Sequence, residues 1–223
     1  SATAGSNGDN TFMLFDDFSG TILDTNKWIW YNPDNAFGYE INNSEIRMYT
    51  ITKGSYSAGI TQANVFPQDI LVERKIRFMD TYREGVQFLL ADSNIATKDS
   101  RVGAGPSESS GTRQLILWYA SGAGAQQVQL SGVNLGTNTN YLLHTFRVRS
   151  GFYIQTSLSN YGGSSIWTSS EFQETYRTWT QMNRFTGMSV WHETSSDATN
   201  NDLYIDWIRV RKYVSSEPTV SAG

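Results

Sequence analysis

The chain has 223 residues, no cysteine, a formal net charge of −4 and a pI near 5.2. That length buries a full core without disulfides, and the absence of thiols excludes disulfide, thiolate and cysteine–metal chemistry. The 17 lysines and arginines are scattered among 21 carboxylates, so no basic stripe marks a nucleic-acid face, and no apolar run approaches the roughly 20 residues of a membrane-inserted helix.

Aromatic residues make up 13% of the chain and 19 glycines accompany them, with abundant Ser, Thr and Asn, a composition that suits a secreted β-sandwich. Residues 1–11 read as a flexible leader. Strands are expected at 12–18, 28–32, 45–51, 57–66, 69–79, 85–91, 113–120, 126–131, 141–149, 152–158, 186–193 and 203–213. Turn chemistry separates them at Pro33-Asp34-Asn35, Lys53-Gly54, Ser121-Gly122 and Asn160-Tyr161-Gly162-Gly163, and 144–158 reads as a hairpin through Ser150-Gly151. One short helix or turn fits 170–177. Segments 92–112 and 193–202 are polar and too long for simple hairpins. In the closing strand, Leu203, Ile205 and Trp207 with Val210 or Arg211 line one buried face. Residues 215–223 read as a linker to a following domain. The expectation is one antiparallel β-sandwich over 12–214.

Three segments carry a family resemblance. The first is Phe15-Asp16-Asp17-Phe18-Ser19-Gly20 with Leu23-Asp24 and Trp28. The second is the hairpin with His144-Thr145-Phe146-Arg147-Val148 and Gly151-Phe152-Tyr153-Ile154. The third is Gly187-Met188-Ser189-Val190-Trp191, and Asp206-Trp207-Ile208-Arg209-Val210 closes the pattern. Together they resemble concanavalin A-like jelly rolls, the fold of the lichenase and laminarinase glycosidases and of many carbohydrate-binding modules. The chain is most similar to a group of uncharacterised lectin-like domains in multidomain bacterial and archaeal surface proteins. The resemblance implies a jelly roll whose concave sheet handles a polysaccharide, with the His144 hairpin on the convex side.

One departure bears on catalysis. The glycosidases carry Glu-x-Asp-x-x-Glu on a cleft strand, because a retaining mechanism needs two carboxyl groups about 5–5.5 Å apart. Between Gly85 and Tyr119 this chain offers only Asp92, Asp99 and Glu108, all expected in loops. Asp16 and Asp17 are adjacent and point to opposite faces of a strand.

Alternation along the expected cleft strands, aligned to the family, selects Gln62 and Asn64, Gln87, Trp118, and Ser189 with Trp191 and Glu193. Indole rings stack on the C–H faces of sugars while amides and carboxylates bond the hydroxyls. The alternative is that either tryptophan is core, since a slip of one residue exchanges the faces of a whole strand. His144 and His192 read as structural; a lyase would instead use His192 with a tyrosine as base and acid. The resemblance also implies one structural Ca²⁺, with Asp206 at the ligand position; without metal, Asp206 meets backbone amides or an arginine. Arg74 falls on an apolar face and calls for a partner, Glu45 or Asp206.

These readings describe a non-catalytic carbohydrate-binding module for a β-linked polysaccharide. It belongs to a larger multidomain protein at the cell surface or outside the cell, acts as a monomer, and inserts into no membrane. The alternatives are a polysaccharide lyase or atypical glycoside hydrolase, and a structural or adhesion module without sugar affinity.

Overall fold

The structure is a computed structural model that describes residues 12–32, 35, 37–51, 57–61, 66–78, 85–86, 88–91, 101–109, 112–120, 126–135, 138–175, 184–191 and 203–214. The expected leader and linker lie outside the described residues. The strands are β1 (Leu14–Asp16), β2 (Trp28–Tyr31), β3 (Phe37–Asn42), β4 (Glu45–Thr50), β5 (Ser57–Thr61), β6 (Ile70–Phe78), β7 (Gly85–Val86), β8 (Phe88–Ala91) and β9 (Arg101–Ser109). There follow β10 (Thr112–Ala120), β11 (Gln126–Leu130), β12 (Asn138–Arg149), β13 (Tyr153–Asn160), β14 (Ser165–Thr168), β15 (Phe172–Gln173), β16 (Arg184–Trp191) and β17 (Leu203–Lys212).

Among the described residues the first sheet has nine strands in the order β14, β13, β12, β6, β17, β4, β3, with β1 beside β17 and β15 beside β13. The second has eight, in the order β11, β10, β9, β8, β16, β5, β2, with β7 beside β16. Every pairing is antiparallel. The chain passes repeatedly from one sheet to the other, as in a jelly roll. Alternation makes the core. Ile70, Val72 and Ile76 of β6, Leu142, Phe146 and Val148 of β12, and Ile154 and Leu158 of β13 face inward. Val102 and Ala104 of β9 and Leu115 and Leu117 of β10 meet them from the second sheet. Each fully buried aliphatic side chain contributes roughly 1.5–3 kcal/mol.

Four expectations change. Segment 92–112 contains β9, so Glu108 stands in a strand. Its Gly103-Ala104-Gly105 run has low β propensity, and pairing on both sides, with β8 and β10, holds it. β3, which the sequence pattern does not predict, pairs with β4; Gly38 lies under Tyr49, where a Cβ would come within 2.6 Å of the ring. Within 170–177, Phe172–Gln173 pair with β13 as a strand. In β17 the register with β6 shifts between Ile205 and Trp207, a bulge at Asp206. The inward set is therefore Leu203, Ile205, Ile208 and Val210, and Trp207 turns outward, where Arg209 lies 4.8 Å from its ring.

The opening motif has a structural role. Asp16 is buried and accepts from the Phe18 amide at 2.9 Å and from Trp28 Nε1 at 2.6 Å. Phe18 adopts a φ of 50° and joins the core with Trp28. Burial pushes the Asp16 carboxyl up against the pull of both donors.

A polar chain also crosses the inner face of the first sheet. Arg74, Ile208's register partner, faces His144 rather than Glu45 or Asp206, and its Nε donates to His144 Nδ1 at 2.9 Å. An arginine only donates, so the His144 proton sits on Nε2 and is given to Thr156 Oγ1 at 2.9 Å. Thr156 in turn donates to the Thr145 carbonyl. Burial pulls Arg74 down to about 9, still a cation at neutral pH. Burial, with the Arg74 charge behind it, holds the imidazole well below its usual 6.5.

This fixes the sign of one pH effect. Below about pH 6.5 the unfolded chain protonates this ring and the folded chain does not, so stability is full above that value and falls as pH drops. The loss from this ring approaches about 1.4 kcal/mol per pH unit. Urea unfolding at about pH 7.5 and about pH 5.5 checks it: the decrease should shrink in His144→Gln. An equal decrease in both proteins would show that the ring is not held neutral.

Candidate functional site

Two places on the molecule bear on the sequence-selected residues. The first is the outer face of the second sheet. On β2, Trp28 is buried and Ile29 is exposed, so Ile29 marks the outward row. Ile29 pairs with Ile60, Ile60 with Thr186, Thr186 with Leu89, Leu89 with Gly103, Gly103 with Trp118, and Trp118 with Val128. One register row thus crosses seven strands. The neighbouring row, with Leu117 and Ala104, belongs to the core.

Ser189 and Trp191 reach the same side through a bulge in β16 between Thr186 and Met188. Met188 pairs with Gly59 and Gly59 with Trp30, which packs on the core. Ser189 and Trp191 therefore occupy outward rows, Trp191 opposite Gly85. A regular strand carrying Thr186 outward would have put them inward. Trp118, Ser189 and Trp191 thus lie on one backbone face, spread over β10 and β16. Gln62, Asn64, Gln87, His192 and Glu193 lie outside the described residues.

The strands of this sheet contain a single carboxylate, Glu108. It pairs in register with Arg113, on rows in phase with the buried Val102 and Ala104. The β9 segment that follows β8 in the sheet reads Arg-Val-Gly-Ala-Gly-Pro, so its outward positions are Arg101, Gly103 and Gly105. No pair of acids stands on these strands for a retaining displacement.

The second place is a polar cleft of about 420 Å³ on the outer face of the first sheet, lined by Glu40, Asn42, Glu45, Arg47, Arg77, Tyr141, Tyr204 and Asp206 among others. Asp206, outward of the buried Ile205, lies in it, paired with the Lys75 ammonium. That ammonium also lies 4.0 Å from the Tyr141 ring centre and 4.7 Å from that of Tyr161. Glu45 accepts two bonds from Arg77, at 2.6 and 3.0 Å, and one from the Tyr141 hydroxyl. Burial, then the Glu45 bond, pushes the Tyr141 phenol up to about 12. Arg47 meets Glu40 at 2.8 Å.

Each carboxylate in the cleft thus has a cation of its own. A calcium ion needs six to eight oxygens, several of them anionic. Asp206 beside an ammonium does not fit that ion, and no group of three or more His, Asp or Glu suited to a metal occurs among the described residues. In this structure Asp206 makes an ion pair with Lys75.

A family model described as "Domain of unknown function (DUF2341)" matches residues 1–31. No curated protein matches the chain. Among solved structures, an endo-β-1,3-glucanase from Pyrococcus furiosus superposes with a TM-score of 0.61 at 14% identity, covering 92% of this chain and 95% of that one. A laminarinase from Flavobacterium sp. UMI-01 gives 0.60 at 13%, over 90% of this chain and 100% of that one. The chain has the concanavalin A-like jelly-roll fold. The GH43 BlXynB protein from Bacillus licheniformis gives 0.65 at 12% identity, with 89% of this chain on 39% of that one. At these identities the likeness is one of fold.

Asp206→Asn should cost about 1 kcal/mol, the scale of a partly exposed ion pair, and chelator should leave the melting temperature of the unaltered chain unchanged. A chelator-induced drop of several degrees that Asp206→Asn abolishes would place a metal at Asp206.

Proposed function

We propose that this domain is a non-catalytic carbohydrate-binding module that holds a β-linked polysaccharide on the concave, outer face of its second sheet. The observation that carries the reading is a pairing of fold and chemistry. The fold is shared with proteins named as an endo-β-1,3-glucanase and a laminarinase, yet the strands of this sheet offer one carboxylate, in phase with the core. A surface without an acid pair retains the means to hold a glycan: indole faces for stacking and amides for hydroxyls. Trp118 and Trp191 supply the stacking, and Gln62, Asn64, Gln87, Ser189 and Glu193 the hydrogen bonds. We place the module outside the cell, as a monomeric unit of a larger multidomain protein akin to lectin-like surface domains.

Affinity electrophoresis against laminarin, mixed-linkage glucan and other soluble glycans tests this, with the supernatant assayed for released sugar. We expect retardation without product, and a loss of roughly tenfold or more in affinity, about 1.4 kcal/mol, for Trp118→Ala and for Trp191→Ala at unchanged melting temperature. Released sugar or unsaturated product would make the domain an enzyme. A variant that unfolds would put its tryptophan in the core. Mobility unchanged by every glycan would leave a structural or adhesion module.

A further inference from the structure

We propose that one end of this glycan face takes an anionic sugar group, a carboxylate or a sulfate ester, through Arg101 and Arg184; the inference rests on the glycan-binding reading above. The two arginines are 83 positions apart in the sequence and the topology brings them to one register row. Arg101 on β9 pairs with Ala91 on β8, and Ala91 pairs with Arg184 on β16. Adjacent strands lie about 4.8 Å apart, so the two Cα positions are roughly 10 Å from each other with a small residue between them.

The face of this row follows from its neighbours. Val102, next to Arg101, is buried in the core. Val102 pairs with Leu90 and Leu90 with Phe185, so the core-side row continues beside Arg184 as well. Arg101, Ala91 and Arg184 therefore share the outward face with the row of Leu89, Gly103 and Trp118. The two rows are two residues apart along each strand, about 7 Å. A glycan lying on the tryptophan row comes within one sugar of the arginine row.

Charge supports the assignment. The strands of this sheet hold three arginines, Arg101, Arg113 and Arg184, against the one carboxylate Glu108. Glu108 pairs with Arg113 on core-phase rows. On the outward rows of this sheet's described strands the charged residues are Arg101 and Arg184, on a chain whose net charge is −4. In the first sheet Arg47, Lys75, Arg77, Arg209 and Arg211 each meet a carboxylate of their own sheet. A guanidinium presents a planar fork that matches carboxylate and sulfate oxygens two at a time. Two of them on one row suit a substituent on a sugar ring better than a neutral hydroxyl.

The test uses the full chain and three probes: neutral laminarin, polygalacturonate and a sulfated galactan. Affinity electrophoresis or calorimetry should show tighter binding to one or both charged polymers than to laminarin. That binding should weaken by roughly tenfold or more in Arg101→Gln and in Arg184→Gln, and fall between about 0.05 and about 0.5 M salt. Laminarin binding should be unchanged in these variants, and Arg113→Gln, on core-phase rows, should bind like the unaltered chain. Should a glutamine variant fail to fold, Arg101→Lys and Arg184→Lys keep the charge and remove the fork, and an equal loss with them supports the same site. Polygalacturonate alone identifies a carboxylate, the galactan alone a sulfate, and both a site that reads charge.

Laminarin binding with neither charged polymer bound would overturn the anionic site and leave the glycan-binding reading standing. Equal losses in Arg113→Gln would overturn it too, because charge anywhere would then suffice. No binding to any of the three would remove both readings together.

Discussion

The closing strand holds three others at once. Along one edge β17 pairs with β6 over most of its length, and along the other it pairs first with β4 and then with β1. The beginning, middle and end of the chain meet in that one strand. Its inward residues Leu203, Ile205, Ile208 and Val210 are sealed against β6 and the core. Its outward arginines are anchored by one buried carboxylate: Arg209 and Arg211 both bond Glu73, at 2.8–3.1 Å. Burial alone would raise Glu73, but the two arginines outweigh it and hold the carboxyl below its usual range. Such a pair of cations on one buried anion is far more costly to break than to lack altogether, so the strand is fixed in register as well as in place.

That register has a price at Asp206, where one extra residue bulges the strand. The bulge does what regular alternation would not: it turns Trp207 out of the core and Ile208 and Val210 into it. Asp206 stays on the outer face, paired with Lys75 beside Tyr141 and Tyr161. The outer face of the first sheet becomes a lattice of paired charges braced by aromatic rings, with Arg77 packed 4.1 Å from the Tyr204 ring and Arg147 reaching Glu171 and Tyr213. A charged ligand entering the cleft there would have to displace an internal partner. The second sheet follows the opposite pattern. Its strands are almost free of carboxylates, and its outward rows carry apolar, small, amide and arginine residues. The described strands of the two sheets thus differ in charge pairing: cations and carboxylates meet within the first, and the second holds the single carboxylate Glu108.

The interior adds a constraint of its own. Arg74, His144 and Thr156 occupy inward positions on three neighbouring strands, and their donors and acceptors run in one direction to the Thr145 carbonyl. A buried polar chain of this kind is tolerated only when each member finds its partner. It specifies how β6, β12 and β13 align, because a shift of one residue would turn every member to the outer face.

Much of this was legible beforehand. Period-two alternation marked β6, β10, β12, β13 and most of β17, since inward and outward positions differ in polarity there, and it grouped Leu115 with Leu117 and put Trp118 in the opposite set. It failed for β3 and β9, whose glycines carry no pattern, and for Trp207 and the partner of Arg74. An amphipathic strand needs only its own residues to declare itself. A bulge, a glycine-rich central strand and a salt bridge exist because of neighbours that arrive from distant sequence, Asp206 with Lys75 and Arg74 with His144. The residues alone determined an aromatic-rich β-sandwich without a Glu-x-Asp-x-x-Glu run. Only the tertiary structure decided which cation meets which anion and which residues share a face, because pairing across strands sets both and local sequence does not encode it.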